Sequence, residues 1–580
     1  MPLTQEQQDF LDAEGRIVLC AVPGSGKTYV VAQKMIKYLS DWSSKHRGIA
    51  ALSFTNVASD EIKRQIADSA LGLPEIDYPH FVGTLDSFIN NFIFLRFGYL
   101  MNSQRRERPV IVHENYGELS FYTRNPVCNK NGCTHNPTKF YWSLGGLCKD
   151  GKLVQCGFSP NPCLSYKQAI FKKGIFVQRE VPTFALRIMR KYPQIAKEIA
   201  FRFPIIIVDE AQDTSREQME ILDCLSQAGV RTTVLVGDPD QSLYEWRDAT
   251  PEYFLHKMED QNWKTLHLSS NFRSSQLICN AAQRFSSMLS DKTPAEAKGH
   301  FAAYDQKPIL LRVNEDRTRE DIIEEFLELC QENSIVVSPD NVAVLTRGKI
   351  HSGLPADIWK TPETESLAMA SYEWHRHNRR GAYQLCEKAL YSISIGNVQK
   401  LTHEEIQERA VALFSANGWK TKVIALLQLL PSPMLPLCAW RDSIKTALTS
   451  LKDSGQISMY DNRTIRDIIK LKTRDTKYPD FLDRPVIDCF EKRASSNYTL
   501  SSVHGVKGET FDATLLIVDT TRGANALTPS ILNTGNLNSE LMRIAYVAMT
   551  RPRKLLVVSL PKSYNKLSRM PQSLWEYREI

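Results

Sequence analysis

The sequence predicts an α/β protein built on two parallel-sheet domains, each interrupted by an inserted subdomain. Three observations predict it: eight short apolar, β-branched runs bounded by turn signals, helix-length stretches between them, and two long segments that break this rhythm. The runs are RIVLC (16–20), GIAALSF (48–54), PIIIVDE (204–210) and TTVLVGD (232–238) in the first half. In the second half they are PILLRV (308–313), NVAVLTR (341–347), ATLLIVD (513–519) and KLLVVSL (554–560). They are continuous rather than alternating, the pattern of strands covered by helices on both faces. TYVVAQKMIKYLSDW and SDEIKRQIADSA read as crossover helices that carry the chain back to begin a parallel neighbour.

The interruptions set the domain boundaries. Residues 90–180 are rich in Cys, Asn, Gly and aromatics, and residues 352–492 carry many charges in a mostly helical pattern. The first sheet domain is therefore expected over 1–89 and 181–285 with 90–180 inserted. The second is expected over 286–351 and 493–580 with 352–492 inserted, both insertions being mostly helical. A chain of 580 residues exceeds what one core serves, which agrees with several domains.

Composition narrows the class. With 42% hydrophobic and 24% charged residues the chain has ordinary globular usage, and its net charge of +7 permits a polyanionic partner without requiring one. The first residues, MPLTQEQQDFLDAEG, have neither the basic nor the apolar region of a secretory signal. No apolar run approaches the roughly 20 residues that span a bilayer. A cytoplasmic protein without a membrane partner is the expectation.

Two motifs carry the chemistry. AVPGSGKT (Ala21, Val22, Pro23, Gly24, Ser25, Gly26, Lys27, Thr28) follows an expected strand and opens an expected helix. Glycines there let backbone N–H groups close around phosphate oxygens, Lys27 faces the β- and γ-phosphates, and the Thr28 hydroxyl is placed to hold Mg²⁺. Ala21 stands where such loops usually have their first glycine. VDEAQD (208–213) ends another strand and offers Asp209 to Mg²⁺ and Glu210 to orient or deprotonate the attacking water. Together they specify nucleoside triphosphate hydrolysis, with ATP and Mg²⁺ as the expected ligands.

The ordered series LTQEQ (3–7), AVPGSGKT, SFTNVAS (53–59), GTLDSF (83–88), VDEAQD, VGDPDQSLYEWR (236–247), LSSNFRSS (268–275), VHGVKGETF (503–511) and RIAYVAMTR (543–551) resembles the motifs of superfamily 1A helicases, the UvrD, Rep and PcrA proteins. The resemblance runs from residue 3 to about 560 and skips both insertions. It implies two RecA-like P-loop domains that sandwich ATP while two insertions ride on them. By position, Gln7 is implied to read the adenine edge, Phe272 to stack on the base, and Gln241 to sense the γ-phosphate. Arg273 and Arg551 are implied as arginine fingers. The family's ribose-contacting glutamate is replaced by Thr510 in KGETF, so that either Glu509, one residue earlier, substitutes with a shifted backbone or the ribose contact is weaker. The residue after GKT, often arginine in the family, is Tyr29.

The same resemblance assigns strand-contacting positions to Phe54, Asn56, Thr84, Tyr244, Trp246, Arg247 and His504. Tyr244 and Trp246 follow Gln241 in QSLYEWR, so phosphate sensing and base stacking share one short segment. Without the motif, the two aromatics read first as core residues and His504 as a structural histidine. RTIRDIIKLKTRDTK (463–477) carries six basic residues against two acids, and suits either duplex phosphates or a solvated helix face.

Five of the twelve cysteines fall between Cys128 and Cys163. Cys128, Cys133, Cys148 and Cys156 have the number, though not the tight spacing, of a structural Zn²⁺ site, with His135 and Cys163 nearby; the alternative is reduced free thiols. The whole implies an ATP- and Mg²⁺-dependent translocase and helicase, 3′-to-5′ by resemblance, acting on single-stranded DNA and single-strand/duplex junctions. A second reading, by family analogy, is a DNA-stimulated ATPase that regulates a separate nuclease, since compact UvrD-like proteins occur beside nucleases in anti-phage systems such as Gabija.

Overall fold

The computed structural model describes residues 3–69, 76, 78–101, 108–112, 140–149, 152–154, 161–243, 251–288, 295–347, 358–376, 378–396, 403–475, 479–490, 497–518 and 526–580. The chain divides into two compact units, one comprising 1–114, 122–348 and 501–580, the other 115–121 and 349–500.

The larger unit holds two six-stranded sheets. The first contains β1 (Arg16–Ala21), β2 (Ile49–Ser53), β3 (Phe81–Thr84), β4 (Ile205–Val208), β5 (Thr232–Gly237) and β6 (Lys264–Leu268), in the order β6-β1-β5-β4-β2-β3. Every pairing is parallel, with Leu19 of β1 level with Val236 on one side and Leu266 on the other. Period-2 alternation splits the apolar residues between the two faces. Val18, Ala50, Leu52, Ile206, Val208 and Leu235 enter one core cluster, while Ile17, Leu19, Ala51, Ile207, Val234 and Val236 enter the other. Burial on both sides is why these runs contain no polar alternation.

The second sheet contains β7 (Ile309–Val313), β8 (Val342–Thr346), β9 (Thr499–Ser502), β10 (Phe511–Ile517), β11 (Pro552–Pro561) and β12 (Glu576–Glu579), in the order β9-β8-β10-β11-β7-β12. The pairings β8–β10, β10–β11, β11–β7 and β7–β12 are parallel. All eight strands expected from the sequence are present. The four it did not single out, β3, β6, β9 and β12, are short or partly polar and sit at sheet edges.

Three helices position the phosphate-loop region. Helix α1 (Gln5–Asp12) opens on a Thr4 capping box in which Gln7 closes the ring, helix α2 (Lys27–Ser40) follows the loop, and helix α3 (Asn56–Ala67) follows β2. Lys34 on α2 donates to the carbonyls of Phe10, Leu11 and Ala13 at 2.8, 3.2 and 2.7 Å, binding the C-terminal end of α1 to α2. Burial pushes the Lys34 ammonium down to about 8.

Among its described residues the first stretch expected as an insertion combines helical segments, the longest Pro162–Lys172, with short strands that the sequence reading did not expect. Helical turns cover Leu85–Phe97, but Tyr141–Ser143, Gly146–Lys149 and Lys152–Leu153 form an antiparallel three-stranded sheet, and Val110–Val112 pairs with Ile175–Val177. The buried Lys167–Glu180 ion pair, 2.8 Å apart, ties this sheet down, because Glu180 also accepts the N–H groups of Trp142 and Val177.

The smaller unit is helical over Pro362–His375, Arg379–Ser394, His403–Phe414, Ala416–Gln428 and Leu437–Asp453. Its core surrounds Trp419 and Trp440, whose indole N–H groups reach Glu387 at 2.9 Å and Ser371 at 3.1 Å. Within the basic 463–477 stretch Arg463 pairs with Glu363, Lys470 with Asp467 and Lys472 with Asp475. Half of its six cations are thus matched inside the unit. Among the described residues no helix is long and apolar enough to cross a membrane.

Candidate active site

The phosphate loop joins the carboxyl end of β1 to the start of α2. Gly24 and Gly26 both adopt positive φ, 75° and 80°, which orients successive backbone N–H groups toward the mouth of the helix. Gly24 has a further constraint: a Cβ there would come within 2.8 Å of the Arg273 Cβ and 2.9 Å of the Asn271 Oδ1. Segment 271–273 clasps the loop, since Asn271 Nδ2 donates to the Pro23 carbonyl at 2.8 Å and the Phe272 N–H to the Gly24 carbonyl at 2.9 Å. Ser25 Oγ is buried without a hydrogen-bond partner. Gln7 donates Nε2 to the Ser25 carbonyl at 3.3 Å and accepts the Thr4 N–H at 3.1 Å, so its carboxamide is held fixed with one donor and one lone pair to spare.

The carboxylates come from the end of β4. Thr28 Oγ1 donates to Asp209 Oδ2 at 3.0 Å, and Asp209 Oδ1 accepts the Glu210 N–H at 2.9 Å. Glu210 itself lies in the left-handed region at φ 55°, a conformation that costs a non-glycine residue on the order of 1 kcal/mol. Burial, reinforced by Glu210, pushes Asp209 up to about 6. Burial also pushes Glu210 up, but Lys507 and Lys27 outweigh it and hold the group below its ordinary value. Asp213 is pushed up by burial to about 6 even though it pairs with Lys507. Lys27 forms no ion pair among the described residues, which leaves its ammonium available to an anion.

Cations from the second sheet's side complete the site. Arg551, ahead of β11, is buried and donates Nη2 to Gln241 Oε1 at 3.1 Å, Nε to the Val547 carbonyl at 3.0 Å and Nη1 to the Glu509 carbonyl at 3.3 Å. Gln241 in turn donates Nε2 to Asp238 Oδ2 at 2.8 Å. Arg273 donates to the Thr550 carbonyl at 2.9 Å. Its burial, followed by the like charges of Arg551 and Arg553, weighs against the Arg273 cation, and burial lowers Arg551 to about 10. Guanidinium groups do not lose their protons in proteins, so both stay charged in a desolvated setting, and the negative charges of Glu210 and Asp238 favour the Arg551 cation.

The structure thus brings Lys27, Thr28, Asp209, Glu210, Gln241, Arg273 and Arg551 into one connected region, with Gln7 and Phe272 on the loop's flank. Glu509 enters through its backbone carbonyl, and its exposed carboxylate acts on Arg551 through charge. Lys507, Asp213, Asp238 and Asn271 belong to the same network and were not singled out, although each lies inside a quoted motif.

The expected strand-contacting positions divide. Phe54 is half-buried and Asn56 exposed at the start of α3. The Thr84 hydroxyl accepts the Ser87 N–H at 3.1 Å as a helix N-cap. His504 Nε2 lies 3.1 Å from the Leu243 carbonyl, so that nitrogen carries the proton, and burial lowers the ring's pKa. Tyr244, Trp246 and Arg247 lie outside the described residues, as do Cys128, Cys133 and Cys156 of the expected zinc set, and His135. Cys148 is buried beside the Ser143 hydroxyl at 3.1 Å, and Cys163 is buried. Among the described residues no three metal-ligating side chains converge, so zinc has no support here.

Comparison with known families bears on this geometry. The UvrD/REP helicase N-terminal domain matches residues 3–114 and 164–262, and the UvrD-like helicase C-terminal domain matches 463–563, together just over half the chain. The chain belongs to the UvrD/Rep helicase family. Its enzyme class is accordingly that of the ATP-hydrolysing helicases. This helicase is 24% identical over 633 residues to ATP-dependent DNA helicase Rep of Buchnera aphidicola, covering 96% of the chain and 93% of the relative. It is 27% identical over 321 residues to Gabija protein GajB of Bacillus cereus, covering 54% of the chain and 56% of that protein. To ATP-dependent DNA helicase PcrA of Staphylococcus aureus it is 23% identical over 310 residues, 50% of the chain and 40% of the relative.

Proposed function

We propose that this helicase is a single-stranded DNA translocase that hydrolyses ATP between two RecA-like lobes and unwinds duplex DNA in the 3′-to-5′ direction. The observation that supports it best is the chain of contacts Asp238–Gln241–Arg551. Through it, an arginine from the C-terminal half reaches the region that holds Lys27 and Asp209. Charge on a transferring phosphoryl group needs cations, and cations supplied by a second lobe make hydrolysis depend on how the lobes meet.

The residues fit ATP and Mg²⁺. The two positive-φ glycines, the unpartnered Ser25 hydroxyl and the unpaired Lys27 ammonium form a cradle for phosphate oxygens, and Thr28 with Asp209 presents two oxygens to a divalent ion. Mg²⁺ supplies neutralisation of the charge on the bridging phosphates. Gln7 is fixed to meet the adenine edge, Phe272 to stack on it, and Glu210, kept ionised by Lys507 and Lys27, is the group that orients the attacking water. Gln241 leads directly into 244–250, while His504 holds the carbonyl of Leu243. Both connections couple the phosphate end to the segment carrying Tyr244, Trp246 and Arg247. Those three, with Phe54, Asn56 and Thr84, are assigned to the strand.

The likeness to Gabija protein GajB favours one alternative, a DNA-stimulated ATPase acting on or with a separate nuclease. Strand displacement on duplexes with 3′ or 5′ overhangs separates the two. The translocase reading expects ATP-dependent displacement from the 3′ overhang alone. DNA-stimulated hydrolysis with no displacement from either substrate favours the accessory role.

A further inference from the structure

The first sheet has two poles. The carboxyl ends of β1 and β4 carry the phosphate loop and Asp209, and the amino ends of β2, β3 and β4 lie at the other. Tyr78 and Phe201 sit at that second pole, beside the starts of β3 and β4. They are 61% and 63% exposed, more than any other Tyr, Phe or Trp among the described residues. Each ring has a guanidinium over it: Arg202 lies 4.7 Å from the Tyr78 centroid, and Arg47 lies 4.9 Å from that of Phe201.

The patch is continuous and held in place. Arg202 donates to the carbonyls of His46 and Pro79 at 2.8 and 3.3 Å, Arg47 Nε donates to the Phe201 carbonyl at 2.9 Å, and the Trp42 indole donates to the Arg47 carbonyl at 2.8 Å. These acceptors satisfy N–H groups but bring no negative charge. Among the described residues neither arginine, nor the exposed Lys45 beside them, has a carboxylate partner. Two largely exposed planar rings, each with an arginine over it that backbone carbonyls hold in place, and Lys45 two residues before Arg47, have no role in the core or in the nucleotide site.

We propose that this patch is a second contact for unpaired DNA, with bases stacking on Tyr78 and Phe201 and phosphates neutralised by Lys45, Arg47 and Arg202. Every base presents a flat face, so aromatic platforms bind single strands without sequence preference, at roughly 1–3 kcal/mol per base, and the cations supply the salt-sensitive remainder. An acidic protein segment would use the cations but leave both rings unexplained. The four residues of β4 alone separate the poles by roughly 13 Å, so a strand touching both must be longer than one that fills the track at the nucleotide pole. The reading rests on the motor assignment only in its choice of DNA as the ligand.

The test uses the full chain and oligothymidylates of two lengths, one just filling the motor track and one long enough to reach both poles. In a Phe201→Ala/Lys45→Glu variant the long strand is expected to bind about tenfold more weakly, with short-strand affinity and the maximal DNA-stimulated ATP rate unchanged. Phe201→Leu, which keeps an apolar side chain but no planar face, is expected to weaken the long strand as well. A long strand carrying iodouracil is expected to photo-crosslink to the peptides containing Tyr78 and Phe201. The proposal is overturned if those peptides stay unlabelled and both variants bind the long strand as the parent does. It is equally overturned if polyglutamate, and not DNA, distinguishes parent from variants. Failure of the motor assignment would show differently, as a parent whose ATP rate ignores DNA.

Discussion

Replacing Arg551 with alanine tests whether the C-terminal half contributes to catalysis or merely packs against the first. The side chain is buried and its three nitrogens donate to Gln241, the Glu509 carbonyl and the Val547 carbonyl, with Nη2 also 3.5 Å from the Thr550 hydroxyl. Truncation leaves the Gln241 carboxamide oxygen without its donor, while the Val547 carbonyl keeps the Thr550 N–H and hydroxyl. At about 1–3 kcal/mol for a buried group left unpaired, the fold loses on the order of 1–3 kcal/mol, and relief of the like charge on Arg273 offsets part of it. The effect on rate is expected to be far larger, about 10³–10⁵ in kcat, because a finger acts on charge that exists only in the transition state. Single-turnover ATP hydrolysis at saturating single-stranded DNA reads the rate, and a fluorescent ATP analogue reads binding, which should change only a few-fold. Arg551→Lys keeps the charge but cannot bridge Gln241 and Glu509 at once, so it should recover stability more than rate. A soluble, cooperatively melting Arg551→Ala protein with kcat within about tenfold of the parent would refute the reasoning.

Trp246→Ala is expected to lower the stimulation of ATP turnover by DNA while leaving the unstimulated rate intact; equal stimulation in parent and variant removes its stacking role. Lys167→Met strands the Glu180 carboxylate in the core, where the two side chains are only 2% and 1% exposed. Breaking such a pair costs about 3–5 kcal/mol, and adding Glu180→Gln should restore part of the lost Tm. His80 accepts the Ile49 N–H at 3.2 Å on Nδ1, and burial followed by Arg202 lowers its pKa below the ordinary 6.5. As pH falls below that value the unfolded chain takes up a proton that the folded chain resists, so stability is full above it and declines below. Thermal melts across this range should show the decline, and His80→Asn, which keeps an acceptor, should flatten it.

The interior strands were legible because a parallel sheet covered on both faces demands unbroken β-branched runs, and PIIIV (204–208) or TTVLV (232–236) has no other simple reading. β3 with FVGT and β12 with EYRE escaped notice, since an edge strand of four residues need not be apolar throughout. The hairpin inside the first insertion was also missed, although Gly145-Gly146 marks its turn and Ser143 pairs with Gly146 across a two-residue loop. In the candidate site, the residue types suited to phosphate were visible as motifs. Their partners were not: Lys507 meets Asp213 across 294 positions, and nothing in either motif says which carboxylate a distant lysine will choose. The clasp of Asn271 on the phosphate loop is likewise a tertiary fact, made visible only when Gly24 is seen to lack room for a side chain.

The central claim is that ATP turnover and grip on a threaded strand are one coupled event. Steady-state ATP hydrolysis measured against increasing single-stranded polynucleotide tests it most directly, with Lys27→Ala as the control that removes the phosphate-loop cation. The account predicts a steep, saturable rise in the parent and none in Lys27→Ala, which still binds the strand. A parent rate indifferent to polynucleotide, or a variant that hydrolyses ATP as the parent does, would contradict it.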